Sequence, residues 1–335
     1  MWKLDPAEDG TPWDRLLERA DDDNPFQSDA WARYKQRMGW KPQRWTASIN
    51  GGPVVCCVQL LKKTLPLGRT AIWAPGGPVI GFPETPQADL GTILPEGIRQ
   101  ICRFNRAVYA RFYSLQPSTP ETHRSFSRVC TVPARRLGSG ATVKIDLRRP
   151  LEDLLGRMDK KHRYGVRRVG NSELQWAWGT SGTLLADFGR LHAEMAAAKR
   201  VSAADAGDLS QLIAAFKEGS RILVGYFEGE PVAACLVLLK GKGSFYWRAA
   251  TAGKGRELSA SYAMIWELLK RLKSEGFERF DFGGILPGLP SAEGINHFKR
   301  GFGGTVVEYL GEWEWANPSW IRWGVNAWAA GRRRW

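Results

Sequence analysis

Residues 50–63, "NGGPVVCCVQLLKK", decide the fold, because residues 228–241, "EGEPVAACLVLLKG", repeat them at a constant offset. Gly51 aligns with Gly229, Pro53 with Pro231, Val54 with Val232 and Cys57 with Cys235. Leu60, Leu61 and Lys62 fall on Leu238, Leu239 and Lys240. Each copy reads as the end of a strand, a glycine turn and a second strand of β-rich apolar residues. A weaker echo follows each copy. "AVYARFYSL" (107–115) and "GFERFDFGG" (276–284) both close a helical stretch and enter a strand. An ordered pair of echoes implies duplication, hence two related α/β domains.

The segment "VPARRLGSGATVKIDL" (132–147) holds Gly138, Ser139 and Gly140 and reads as the linker. "TVVEYLGEWEW" (305–315) reads as a strand that returns to the first domain. The expected domains are therefore 1–138 with 305–335, and 139–304. "WAPGGPVIGFPETPQADLGTILP" (73–95), rich in Pro and Gly, is expected to be an ordered loop or crevice wall.

The 335 residues suffice for two ordinary domains, and the formal net charge is +14. That excess favours polyanionic partners: nucleic acid, nucleotide phosphates or an anionic membrane surface. Five cysteines without a CxxC pair, mostly in apolar runs, indicate a reducing compartment, no disulfide framework and no zinc site. The first residues lack a signal-peptide pattern and no apolar run approaches membrane-spanning length. A cytoplasmic protein is expected.

Two segments concentrate basic charge. In "RPLEDLLGRMDKKHRYGVRRV" (149–169), Leu151, Leu154, Leu155, Met158, Val166 and Val169 recur at helical spacing. The other side of this single expected helix carries Arg157, Lys160, Lys161, Arg163, Arg167 and Arg168, a density suited to phosphate backbones or to a solvated face. A second helix is expected over "LLADFGRLHAEMAAAKR" (184–200). In the tail, "NPSWIRWGVNAWAAGRRRW" (317–335), Asn317 is expected to cap a helix that Pro318 begins. Trp320, Ile321, Val325 and Trp328 then share one face, with Arg322 and Asn326 pointing away and Arg332, Arg333 and Arg334 following. That face is expected either to rest on an anionic inner membrane surface or to pack on the first domain.

Four motifs carry a resemblance. "NPFQSDAWARYKQRMGW" (24–40), "MDKKHRYGVRRVGNSEL" (158–174), "GFERFDFGGILPG" (276–288) and "GINHFKRGFGG" (294–304) occur in the order found in the Fem family (FemABX). The chain resembles these aminoacyl-tRNA-dependent peptidoglycan aminoacyltransferases, and is closest in layout to the FemX-like branch that lacks a coiled-coil arm. The resemblance implies two tandem GNAT-like domains with mixed sheets flanked by helices. It implies transfer of an amino acid from aminoacyl-tRNA to an amine on the stem peptide of a soluble or lipid-linked precursor. It assigns precursor binding to the first domain, and tRNA binding and catalysis to the second. Aminoacyl-tRNA is the co-substrate, with no other cofactor and no metal.

Site residues follow from the same resemblance. Lys35, with Trp31 and Tyr34 in its motif, falls where the family's lysine contacts the precursor diphosphate, and Arg200 matches a second phosphate-binding arginine. The basic residues from Arg157 to Arg168 match a tRNA-facing helix. Phe298 and Lys299 fall on the family's Phe-Lys pair at the reaction centre. Gln116, in "FYSLQPS" (112–118), stands in the precursor site where many relatives carry Asp, so a carboxylate base is missing there.

Chemistry supplies its own reading of the closing motif. Attack of an amine on an ester carbonyl builds an oxyanion, and stabilising it is commonly the largest catalytic term. Lys299, framed by Phe298 and Phe302, suits that role, and the glycines around it would let backbone approach a substrate. Asp281 is a candidate base, or else satisfies the amides of the turn it enters. Two other classes remain open. "AATAGKGRELSASYAMIWELL" (249–269) occupies the place of a CoA pyrophosphate loop, so a CoA-dependent N-acyltransferase of polysaccharide or natural-product synthesis is one alternative. A noncatalytic nucleic-acid-binding protein is the other.

Overall fold

The structure, a computed structural model, describes residues 2–8, 10–83, 87–170, 174–199 and 206–331. The strands in chain order are β1 (Trp2–Pro6), β2 (Lys41–Ile49), β3 (Val54–Thr64), β4 (Thr70–Gly76), β5 (Ala107–Pro117), β6 (Ala141–Asp146), β7 (Gln175–Gly179), β8 (Ser220–Phe227), β9 (Glu230–Lys240), β10 (Gly243–Thr251), β11 (Arg279–Asp281) and β12 (Thr305–Ala316). The chain divides into two compact units, one running to Gly140 and resuming at Glu308, the other Ala141–Val307.

The repeated hairpins turn in the same way. Asn50 and Gly51 sit at φ 52° and 69°, Glu228 and Gly229 at φ 51° and 81°. Two consecutive positive φ values make the turn whose twist matches that of the flanking strands. Each unit then lays its strands in one order: β1-β2-β3-β4-β5-β12 in the first, β7-β8-β9-β10-β11-β6 in the second. In each, only the fourth and fifth strands pair parallel. A parallel pair needs a crossover connection, and the helices Gln87–Phe104 and Ala260–Ser274 supply it. The topology is a duplication. Its sixth strand comes from the far end of the chain in the first unit, and from just after the linker in the second.

The first core packs Leu60, Ile72, Ala110 and Phe112 against Ile93, Leu94, Ile98 and Ile101 of the crossover helix. That helix starts at Gln87, inside the stretch expected to be loop to residue 95. The apolar spacing 93, 94, 98, 101 outweighs Pro95, which is itself buried. Glu312 on β12 anchors the linker. It pairs with the buried guanidinium of Arg111 and accepts from the amides of Leu137 (2.8 Å) and Gly138 (2.6 Å). The second core packs β9, buried from Pro231 to Leu239, against Met264, Ile265, Leu268, Leu269 and Leu272.

The tail departs from expectation. Asn317 does not cap a helix; its N–H donates to Val108 O, and the helix runs Ile321–Gly331. The polar residues turn inward. Asn326 donates to both carboxylate oxygens of Glu314 (3.1 and 3.2 Å), and Arg322 to Thr131 Oγ1 (3.3 Å). Glu314 is buried, so it draws the donors that a sequence pattern assigns to solvent. Trp320 and Trp323 are left exposed. Arg332, Arg333 and Arg334 lie outside the described residues. Among the described residues no helix is long and apolar enough to cross a membrane.

Candidate active site

The closing motif of the second unit forms a short helix, Glu293–Arg300, facing the loop that leaves β11. Gly283 and Gly284 turn that loop at φ 72° and 104°. A Cβ on Gly283 would lie 2.3 Å from Tyr246 O, so a side chain fits neither the conformation nor the space. Asn296, fully buried, fastens the loop to the helix. It accepts from Leu286 N (2.9 Å) and donates to Leu286 O (2.8 Å), an oxygen that also takes the Leu289 N–H (3.3 Å). Ile285 N–H bonds Ala141 O (2.8 Å) and fixes the other side.

This pinned loop presents the Gly284 carbonyl to Lys299, whose Nζ donates to it at 2.5 Å. The side chain is half-buried. Desolvation pulls its pKa from the ordinary 10.5 down to about 8, opposed by the Asp281 carboxylate. An ammonium has three donors. One is committed to Gly284, and two remain for a substrate oxygen.

Phe298 sits in an aromatic cluster. Its ring centre is 5.2 Å from Phe302, 5.4 Å from Tyr262 and 6.0 Å from His162. His162 is fully buried, and its Nε2 lies 2.9 Å from Phe298 O. A carbonyl only accepts, so Nε2 carries the proton. Nδ1 has no hydrogen-bond partner, and burial lowers the imidazole pKa. A neutral imidazole therefore holds the turn of helix that carries Lys299.

The glycines that follow Lys299 serve packing instead of substrate approach. A Cβ on Gly301 would lie 1.9 Å from the His162 ring, one on Gly303 2.4 Å from Arg157 O, and one on Gly304 2.6 Å from Val143. For these three the expectation that they open backbone to a ligand is corrected, because protein atoms occupy that space; a Cβ on Gly294 would meet nothing within 4 Å.

The other expected residues are placed as follows. Asp281 accepts from Thr142 Oγ1 (2.5 Å) and Gly283 N (2.8 Å), and Lys144 Nζ is 4.0 Å away. It satisfies the turn it enters. In the first unit, the helix Asp29–Arg37 is capped by Ser28, which accepts from Trp31 N (3.1 Å). It carries Lys35 over the rings of Tyr34 (4.5 Å), Trp31 (4.7 Å) and Trp73 (5.6 Å). Such an aromatic seat orients the ammonium. Gln116, half-buried, ends β5 beside an irregularity of the β5–β12 register. Arg200 lies outside the described residues.

The single cationic helix becomes two, Leu151–Arg157 and Lys160–Gly170. Met158 is extended (ψ 151°) and buried, and Asp159 N–H bonds Gly301 O (2.8 Å) instead of continuing the helix. Arg157 pairs with Asp153 (3.3 Å), and Arg163 donates to Gly156 O (3.1 Å) and Met158 O at the break. Lys160, Lys161, Arg167 and Arg168 remain exposed. In the place read as a CoA loop, Gly255 is pressed on Val232 O, which also takes the Ala252 N–H. His162, Asn296, Thr142 and Trp73 are functional candidates that the sequence reading missed. The spacing of His162 within a run of lysines and arginines disguised it as surface.

The Gly284–Asn296–Lys299 assembly lies within residues 225–319, which match the model of the FemAB family. Over 99 residues the chain is 26% identical to the aminoacyltransferase FemA of Staphylococcus aureus (strain MW2), covering 29% of this chain and 24% of FemA. The chain thus spans about a quarter of the length of that relative. Among solved structures, FemX superposes with a TM-score of 0.82 at 14% identity, over 95% of this chain and 99% of that one. A tandem GNAT protein from the clavulanic acid biosynthesis pathway gives 0.55 at 12% identity, over 94% and 98%. These likenesses carry the fold: two tandem GNAT-like domains.

Proposed function

We propose that this FemAB family chain is an aminoacyltransferase that moves an amino acid from aminoacyl-tRNA to an amine of a peptidoglycan precursor. The observation that carries the reading is the Lys299 ammonium, held on Gly284 O inside the family-matched segment with two donors left over. The acceptor amine attacks the ester carbonyl, the carbonyl oxygen takes negative charge, and the C–O bond to the ribose breaks. The nucleophile's proton leaves with the ribose hydroxyl. Lys299 stabilises the oxyanion, and His162, through Phe298 O, keeps it aimed. The precursor's diphosphate is proposed to meet the Lys35 seat of the first unit. The tRNA backbone is proposed to meet Lys160, Lys161, Arg167 and Arg168. The tail helix is proposed to rest on an anionic membrane surface.

The test is mass spectrometry of a stem-pentapeptide precursor incubated with the protein and a pool of charged tRNAs. A mass increase by one amino-acid residue supports the reading. Modification with acetyl-CoA and none with charged tRNA assigns a CoA-dependent transferase instead.

A further inference from the structure

One end of the first unit gathers arginine around an open groove of about 500 Å³. Arg69 enters β4, Arg99 and Arg103 come from the crossover helix, and Arg106 precedes β5; Trp315 and Asn317 at the end of β12 complete the lining. Arg99 makes one hydrogen bond, to Arg128 O at 3.4 Å. Among the described residues no carboxylate lies within ion-pair distance of any of the four; Asp5 and Glu96 line an adjoining groove with Arg99 and Arg103. Four like charges round one groove repel each other unless an anion answers them.

The rim is apolar. Leu67 is 91% exposed, Trp323 73%, Trp320 68% and Phe104 61%, which are four of the five most exposed large apolar side chains described. Each stands beside a groove residue in the chain: Leu67 before Arg69, Phe104 between Arg103 and Arg106, and the tryptophans after Asn317. Leu67 occupies φ 59°, a left-handed conformation unfavourable for leucine, and so exposed a side chain has little packing to offset it. The tail helix shows the same inversion, with Arg322 and Asn326 against protein and Trp320 and Trp323 outward.

We infer that this end of the first unit docks on an anionic lipid bilayer. The groove arginines bind headgroup phosphates, and Leu67, Phe104, Trp320 and Trp323 enter the interface. Guanidinium forks match phosphate oxygens, and an apolar rim beside basic residues is the chemistry of a membrane surface. A nucleic-acid backbone would engage the arginines but leaves Leu67 without a role. The inference extends the membrane reading of the tail and is independent of the catalytic one.

The test sediments the full chain with vesicles of phosphatidylcholine alone, or of phosphatidylcholine with phosphatidylglycerol. Binding is expected to the mixed vesicles alone. Arg99→Glu/Arg103→Glu/Arg106→Glu should weaken it roughly 100-fold, on the usual contribution of a basic residue near such a surface. Leu67→Ser/Phe104→Ser should weaken it at least about tenfold. Arg103→Gln/Arg106→Gln is the milder variant should the triple reversal not fold, and matched melting curves confine the effect to the surface. Loss on Trp320→Ser/Trp323→Ser with parental binding by the arginine variants leaves the tail contact standing and overturns the groove. Vesicle binding untouched by the arginine variants while RNA binding falls assigns the groove to nucleic acid. Parental binding by Leu67→Ser/Phe104→Ser overturns the bilayer.

Discussion

Replacing Lys299 by Met should make the protein less active and more stable. A pKa drawn from 10.5 to about 8 means that the folded state disfavours the ammonium by at most about 3 kcal/mol at pH 7. The side chain is half-buried, so solvent screening reduces this to about 2 kcal/mol. Losing the bond to Gly284 O removes about 1 kcal/mol. The net gain is about 1 kcal/mol, which raises Tm by about 2–4 °C. The sign depends on pH. The penalty is fully present below the folded pKa of about 8 and disappears as pH rises towards the unfolded value of 10.5. Wild type therefore recovers stability over that window and the advantage of Met shrinks. Paired melts at pH 7 and pH 10 measure this difference, while kcat for the proposed aminoacyl transfer falls by roughly 10²–10³. A Met variant that melts below wild type at pH 7, or a gap that stays constant to pH 10, would refute the desolvated ammonium.

Four further outcomes are expected. If Lys299 acts as a cation, its contribution to the rate is lost as pH rises through about 8, and Lys299→Arg abolishes that loss; a pH–rate comparison of the two reads it, and a base role gives an inactive Arg variant. Asn296→Ala leaves the Leu286 N–H without its acceptor, while Leu286 O keeps the Leu289 N–H, and should cost about 1–2 kcal/mol in urea unfolding, with kcat reduced because Gly284 loses its support. Gly301→Ala forces the His162 ring aside and should lower stability by about 3 kcal/mol, visible in thermal melts. Reversing Lys160, Lys161, Arg167 and Arg168 to Glu should weaken the proposed tRNA binding and reduce its log–log salt slope by up to about 3, whereas Arg163→Gln should mainly lower stability.

The duplicated fold was legible because its signals are local. Asn50-Gly51 and Glu228-Gly229 announce their turns, and the apolar strands beside them follow from residue type. The Phe298-Lys299 pair was legible as a motif. Its surroundings were not, because they rest on contacts far apart in sequence. The helix break at Met158 depends on Gly301 O, and nothing between Leu151 and Gly170 announces it. Asn296 and His162 belong to polar runs, and only the fold reveals that each is buried against a backbone carbonyl. The inward turn of Asn326 similarly depends on Glu314, a buried acid on a strand that reads as amphipathic.

The placement of β12 also has a consequence for synthesis. The first 140 residues emerge from the ribosome without the strand that covers β5, and without the Glu312 that neutralises Arg111. The second unit, by contrast, has all six strands once residue 281 is made. Maturation should therefore run against the order of translation. The later-made half closes first, while the earlier half waits with an open sheet edge and an unanswered buried cation. That interval exposes a template for strand pairing with other chains, so nascent-chain aggregation or chaperone capture should peak between completion of β11 and arrival of β12.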